Sequence, residues 1–186
     1  YVHTGEQFDS KEWLAGLKQG RSFVTTGPML FAKIDGKLPG KSFSNTDQES
    51  KTLNVSIESA SEKPIDRIEI LVNGKVVKTL QPQVNGITRN AKSVQFDEKV
   101  TIARTSWVAI RSIELQPDGR KRFAHTAPWH VPLRGESIKP EKSQVQYFID
   151  LMKAEVVRNR TVLNADSLSE FEFALSFYRK LLNQAQ

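Results

Sequence analysis

Histidine is the residue type best suited to metal chemistry in this sequence, which contains three: His3, His125 and His130. None of them stands in the H-x-H, H-E-x-x-H or H-x-D spacing that brings two ligands together locally. A metal site needs three or four ligands that converge at about 2 Å from the ion. His125 and His130 are five positions apart, so in one strand they face opposite sides unless Pro128 shifts the alternation. We predict structural or surface roles for them, with metal ligation as the alternative.

A glycine- and lysine-containing stretch, GKLPGKS at residues 36–42, resembles a phosphate-binding loop. The motif requires Gly where this chain has Asp35, and no amphipathic helix follows to hold a phosphate. We therefore predict a turn. The sequence has no G-x-S-x-G elbow, no Cys and no evident pair of carboxylates for acid–base work. Neither a catalytic residue nor a cofactor-binding residue is predicted.

Three tryptophans could form a carbohydrate platform if they were exposed: Trp13, Trp107 and Trp129. Core packing is the simpler prediction for Trp107, which lies in a predicted strand, and for Trp13, which lies in a predicted helix. Trp129 is left open. We keep it, together with His125 and His130, as a candidate for ligand contact.

The net charge of +6 raises the question of nucleic acid, but the basic residues are scattered among acidic ones. The densest run, Arg120-Lys121-Arg122, follows a predicted turn, where solvated charge is expected. We predict no nucleic-acid partner. No apolar run approaches the roughly 18 residues of a membrane span, so we predict no membrane partner either. The absence of Cys is compatible with either the cytoplasm or an extracytoplasmic location, so it does not locate the protein.

The chain opens without Met on a strand-like stretch, so we expect upstream sequence, with any signal peptide, to lie outside it. The first complete element is a helix. Asp9 suits its N-cap, Glu12 completes a capping box, Phe8 and Trp13 fit a hydrophobic staple, and Gly20 ends it. The apolar stripe of this helix comprises Trp13, Leu14 and Leu17.

The middle of the chain has the patterns of antiparallel strands. Leu53, Val55 and Ile57 alternate with polar residues, which is typical of a half-buried strand. Asn73-Gly74, between two apolar runs, indicates a tight hairpin. About seven short strands separated by turns predict an immunoglobulin-like β-sandwich at residues 31–134. The predicted fold class is mainly β, with a short N-terminal helix–strand remnant before the sandwich and an antiparallel helix pair after it.

The last segment, residues 135–186, is predicted to form a helical hairpin. Pro140 suits a first helical position, and Ser167 with Glu170 is a candidate capping box for the second helix. The loop between the helices is placed around Asn164. Three residues widen the apolar face of the last helix, which predicts packing on two sides: Phe173, Phe177 and Leu181.

Residues 12–28, EWLAGLKQGRSFVTTGP, resemble the W-x-x-G-L-x-x-G-R-S-F-V-T-x-G-P stretch of CehA/McbA-type metallohydrolases in the PHP superfamily. Three later segments are similar to the accessory β-domain of that family: residues 66–74, 106–111 and 124–128. The resemblance covers about residues 1–133. It implies that residues 1–30 are the end of an upstream catalytic domain.

The resemblance also implies a parent enzyme that hydrolyses esters, amides or phosphoesters with bound divalent metal. The family's H-x-H and D-x-H motifs are absent from this chain, so no cofactor is predicted in the fragment and the divalent metal belongs to the parent. The expected partner is the missing upstream catalytic domain. Four residues are candidates for the rim of its barrel: Arg21, Thr25, Thr26 and Gly27. The alternative is that these four merely form a strand and its turn.

Two functional hypotheses follow from these observations. The first is a non-catalytic C-terminal accessory domain of a PHP-type hydrolase, which predicts exposed apolar surface where the catalytic domain packs. The second is a carbohydrate- or protein-binding β-sandwich module, for which an exposed Trp129 would be the best support.

Overall fold

The computed structural model describes residues 1–5, 8–84, 87–88 and 91–185. The chain divides into two compact units, Tyr1–Ser137 and Ile138–Gln186. The first is built mainly of antiparallel strands and the second of two helices. The predicted fold class is therefore confirmed. Residues 1–30 lie within the first unit, and their assignment to an upstream catalytic domain stays a prediction.

The first unit begins with helix α1 (Ser10–Lys18). The strands in the described part follow in chain order: β1 (Phe23–Thr25), β2 (Met29–Ile34), β3 (Lys51–Val72), β4 (Lys75–Leu80), β5 (Gln83–Val84), β6 (Ile87–Thr88), β7 (Ala91–Ile102), β8 (Ser106–Leu115), β9 (Lys121–Thr126) and β10 (Trp129–Val131). β5 and β6 pair only with each other.

The 22-residue strand β3 belongs to both layers of the sandwich. Its first half, residues 51–60, pairs with β2 on one side and with β7 on the other. Its second half, residues 65–72, pairs with β4 and β8. The register shifts between Ala60 and Ile65, where the partners change. The first sheet thus has the order β2, first half of β3, β7. The second sheet has the order β4, second half of β3, β8, β9, β1.

The strand order is that of an immunoglobulin-like sandwich. Counting the two halves of β3 as strands B and C, the order A–B–E lies in one sheet and C′–C–F–G in the other. One apolar cluster joins the inner faces of both sheets. Fully buried members come from each layer: Leu30, Leu53, Ile68, Ile70, Val108 and Ile110.

Local sequence signals account for several turns and helix ends. Asn73 and Gly74 have φ values of 50° and 81°, as a type I′ hairpin requires. Asp9 caps α1 by accepting a hydrogen bond from the Lys11 N–H at 3.0 Å, and Gly20 has a φ of 73° after its end. Within the described residues, no helix is long and apolar enough to cross a lipid bilayer.

The second unit is an antiparallel pair, α2 (Lys142–Asn159) and α3 (Ala165–Leu182), as predicted. Two predicted helix starts were wrong. α2 begins two residues after Pro140, and the N-cap of α3 is Asn164, whose Oδ1 accepts from the Ser167 N–H at 2.9 Å. Asn is as good an N-cap as Ser, so Ser167 falls inside the first turn of the helix.

Candidate functional site

The two candidate histidines of the β9–β10 region lie on the same side of their sheet. His125 pairs with Arg111 and His130 pairs with Trp107, two positions that share one face of β8. The two residues between β9 and β10 therefore shift the alternation, so that two histidines an odd number of positions apart lie on one side of the sheet. Four residues along β8 still separate them by about 13 Å. Because of this separation, the structure does not bring the two histidines together. His125 Nδ1 lies instead 2.7 Å from the Thr126 carbonyl oxygen.

The residues present do not fit a divalent metal. Across the described ranges, no three His, Cys, Asp or Glu side chains converge on one point. Since ligation needs three or four such groups, the described residues offer no such set, and the metal of a parent enzyme stays a prediction.

Trp129 lies in the core of the sandwich. Its side chain is fully buried, and its Nε1 donates a hydrogen bond to the Lys37 carbonyl oxygen at 3.0 Å. A ring in this position cannot stack on a sugar from solvent, so the carbohydrate hypothesis loses the side chain that supported it best. His130, next to it, points outward and is exposed.

Three of the four barrel-rim candidates have clear structural roles. Thr25 Oγ1 donates to the Pro28 carbonyl and accepts from the Gly27 N–H at 2.9 Å. Thr26 Oγ1 accepts from the Phe123 N–H at 3.1 Å, which fastens the end of β1 to β9. A Cβ added to Gly27 would lie 2.9 Å from Arg122 Cδ. These contacts form a strand and its turn, and a place for these residues at the rim of a barrel stays a prediction.

Arg21, the fourth candidate, lies between α1 and β1 and is half-buried. Its carbonyl oxygen accepts from the His3 N–H at 2.8 Å. Its Nε is buried without a hydrogen-bond partner among the described residues. Nothing in its surroundings identifies it as a ligand contact.

Helix α1 contacts the rest of its unit through a glycine. Gly16 is its buried residue, and a Cβ there would lie 2.6 Å from Val2 Cγ1. The small residue therefore sets how closely the helix approaches the first residues of the chain. In three glycines of the resemblance motif, an added Cβ would thus lie 3.0 Å or less from another atom: Gly16, Gly20 and Gly27.

The apolar side of α1 faces solvent. Phe8 is 78% exposed, Leu14 59%, Leu17 48% and Trp13 37%. We call these four residues, three in the helix and Phe8 just before its N-cap, the α1 apolar face. Core packing was the prediction for Trp13, and it was wrong, because Gly16 rather than the apolar stripe makes the contact. A cluster of large exposed apolar side chains on one short helix is typical of an interaction surface.

A groove of about 520 Å³ crosses the outer face of the β2–β3–β7 sheet. Two neighbouring cross-strand rows line it, Phe31–Glu58–Gln95 and Lys33–Ser56–Asp97. We call it the sheet groove. His3 and Thr4 from the first residues of the chain also line it, and the His3 ring contacts the Phe31 ring edge-on at 6.0 Å between centroids. The groove thus combines an aromatic ring with acceptors and donors of hydrogen bonds.

The charges that line the sheet groove disfavour an anionic ligand. Burial lowers the pKa of His3, and the positive charges of Lys33, Arg21 and the chain's amino terminus lower it further. The imidazole is therefore neutral near pH 7. Its Nε2 is buried and makes no hydrogen bond to a described residue. The polar groups that remain to contact a ligand are the Lys33 ammonium, the Glu58 and Asp97 carboxylates, the Gln95 amide and the hydroxyls of Thr4 and Ser56.

Comparison with known proteins identifies no family for this chain. No protein-family model matches the sequence, and no curated protein matches it. Among solved structures, the chain is similar to the fibronectin(III)-like modules of Clostridium thermocellum CbhA, with 18% identity and a TM-score of 0.33. That match covers 58% of this chain and 100% of the module. The immunoglobulin-like strand order follows from the pairing within this chain itself.

The sheet groove was missed in the sequence because its residues look like ordinary solvent-facing positions. Phe31 and Glu58 alternate with buried neighbours and Asp97 with half-buried ones, which predicts a solvated sheet face. The only available signal was the aromatic residue at an outward position of β2. Its neighbours depend on the register of three strands that are distant in sequence.

Proposed function

We propose that this chain is a non-catalytic accessory module of a PHP-type, metal-dependent hydrolase of the CehA/McbA kind. In this proposal the α1 apolar face packs against the catalytic domain. The observation that carries it is the exposure of Trp13, Leu14 and Leu17 on a helix that contacts its own unit through Gly16, with Phe8 exposed just before the helix.

Two further points support the proposal. The stretch that resembles the family, residues 12–28, contains most of the exposed apolar residues of α1 and the glycines that hold it in place. In addition, α1 presents these side chains from a capped helix, so little conformational entropy is lost when a partner covers them. A rigid apolar patch is the kind of surface that packs against another domain.

The test is binding to the PHP-type catalytic domain that the proposal places upstream in the same reading frame. We expect Leu14→Lys combined with Leu17→Lys to weaken binding at least about 30-fold, because two apolar contacts at the centre of the interface become charged. Isothermal titration calorimetry measures the affinity. The metal-dependent hydrolysis of a nitrophenyl ester or phosphodiester should belong to the catalytic domain alone.

Val77→Lys is the matched control, since Val77 is 52% exposed on β4 and lies outside the α1 apolar face. It should leave the affinity unchanged. A reading frame without such a catalytic domain would refute the proposal, and so would equal binding by the Leu14/Leu17 variant and the unchanged chain.

The sheet groove supports a second candidate function, the binding of a neutral oligosaccharide. Sugar hydroxyls both donate and accept hydrogen bonds, which matches the mixed set of Lys33, Ser56, Glu58, Gln95 and Asp97. The C–H face of a pyranose ring can pack on an aromatic side chain such as Phe31, which is 43% exposed. The volume of the groove is in the range of small-ligand sites.

Phe31→Ala should abolish any oligosaccharide binding, because it removes the aromatic surface of the groove. Chemical-shift changes in NMR titrations with a panel of neutral and anionic oligosaccharides would measure it. Phe123→Ala is the control, because Phe123 is similarly exposed at 41% and does not line the groove. No shift at the groove residues with any member of the panel would remove this candidate, and a preference for anionic sugars would contradict the charge argument.

A further inference from the structure

Helix α3 has apolar residues on two sides. One side contacts α2 and is half-buried; it comprises Phe171, Leu175, Tyr178 and Leu182. On the other side Phe173 is 74% exposed and Phe177 is 54% exposed. No residue of α3 is fully buried. The second apolar side therefore has no partner within the described helix pair, although the sequence predicts that the helix packs on two sides.

The exposed side continues along the helix in a regular spacing. Asp166, Glu170, Phe173, Phe177 and Lys180 follow one another at intervals of four, three, four and three residues. This alternation keeps them on one face and is the spacing of a coiled-coil seam. All five are exposed. We call this face the α3 seam. It is acidic at the amino end, aromatic in the middle and basic at the carboxyl end.

The α3 seam is complementary to itself. When two copies pack antiparallel about a twofold axis at residue 175, each position i faces position 350 − i of the other copy. Phe173 then faces Phe177, and Glu170 faces Lys180, on both sides of the axis. Opposite charges and apolar side chains are thus satisfied in a single register. An interface in which each copy presents the same patch is the common arrangement of homodimers.

We propose that the chain forms a homodimer through antiparallel packing of the α3 seam on that of a second copy. The proposal is independent of the module function described above, since the seam lies in the other compact unit. The aromatic centre is held in a defined position: the Phe177 ring contacts Tyr178 edge-on at 5.7 Å, and Tyr178 stacks on Phe148 of α2 at 5.3 Å. These ring contacts hold the Phe177 side chain in one orientation, which favours a specific interface over nonspecific apolar association.

The interface is small. One helix against one helix falls below the roughly 1,200 Å² of a standard stable interface, so the dissociation constant should lie in the micromolar range. Sedimentation velocity from about 1 to 200 µM spans that range. We expect the unchanged chain to shift from monomer to dimer across it, and Phe173→Ser to raise the dissociation constant at least about 30-fold.

Charge reversal tests the register directly. Glu170→Lys sets Lys against Lys180, and Lys180→Glu sets Glu against Glu170, so each variant alone should dimerise at least about 10-fold more weakly. An equimolar mixture of the two variants restores both opposite-charge pairs. The mixture should therefore form a heterodimer with an affinity within about threefold of the unchanged chain. Altered stability of the helix hairpin cannot produce this recovery on mixing.

Glu172→Lys is the matched control, since Glu172 is exposed on α3 and its spacing places it outside the α3 seam. It should not change the dissociation constant. A chain that stays monomeric throughout the concentration range would overturn the proposal. A dimer that is insensitive to Phe173→Ser, or single variants that fail to associate on mixing, would also overturn it.

Discussion

Replacing Gly40 with alanine should destabilise the sandwich unit by about 3–5 kcal/mol or prevent its folding. A Cβ at this position would lie 1.8 Å from the Gln19 carbonyl oxygen and 2.7 Å from the carbonyl carbon of Gly20. Both are backbone atoms at the carboxyl end of α1, so no side-chain rotation relieves the overlap. The helix and the loop that follows β2 would have to separate.

Gly119→Ala is the control for backbone strain, because Gly119 has the same φ of 82° but no atom within 4 Å of an added Cβ. It should cost only about 1 kcal/mol. Urea denaturation followed by tryptophan fluorescence measures both variants, since Trp13, Trp107 and Trp129 all lie in the first unit. Equal losses for Gly40 and Gly119 would show that the close approach to α1 contributes nothing.

Replacing Glu69 with glutamine should lower the free energy of unfolding by about 2–3 kcal/mol near neutral pH. Glu69 is 5% exposed on β3. It accepts hydrogen bonds from Arg67 Nε at 2.7 Å and from Arg111 Nε at 2.8 Å. Glutamine removes the negative charge and leaves two guanidinium groups facing each other.

The effect of Glu69→Gln should depend on pH. Burial alone would raise the pKa of Glu69, but the hydrogen bonds and positive charges of Arg67 and Arg111 outweigh it and hold the pKa below its usual range. A lowered folded-state pKa stabilises the fold above the unfolded value of about 4.3, and this contribution disappears as the pH falls through the folded value. The difference between the two proteins should thus shrink from about pH 7 to about pH 3.

Urea titrations at several pH values measure that difference. Glu58→Gln, on the exposed face of the other sheet, should change stability by less than about 0.5 kcal/mol at every pH. A loss for Glu69→Gln that is the same in acid as at neutral pH would contradict the role of the ionised carboxylate.

Period-two alternation and turn chemistry predicted most of the sandwich. Leu53, Val55 and Ile57 face the core as expected, and Asn73-Gly74 forms the expected hairpin. The single long β3 was not foreseen. The sequence predicts short strands separated by turns, whereas the backbone of β3 stays extended between its two halves and only changes partners there.

The functional surfaces were harder to predict, because they depend on contacts between distant segments. Trp13 faces solvent because α1 packs on its unit through Gly16. A contact made by glycine cannot be predicted from the spacing of apolar residues. His125 and His130 lie on the same side of the sheet because of the backbone conformation at residues 127–128, which the sequence pattern does not specify. Only the second apolar side of α3, with Phe173 and Phe177, was visible directly, since a helix fixes which of its own residues share a face.

The continuous β3 has a mechanical consequence for the module. In a sandwich whose layers are joined by a loop, a pulling force can extend the loop before either sheet is strained. Here the connection between layers is itself an extended strand, paired with neighbours on both sides for much of its length. Force across it acts on ladders of backbone hydrogen bonds in both sheets together. We therefore expect the two layers to resist extension together rather than one after the other.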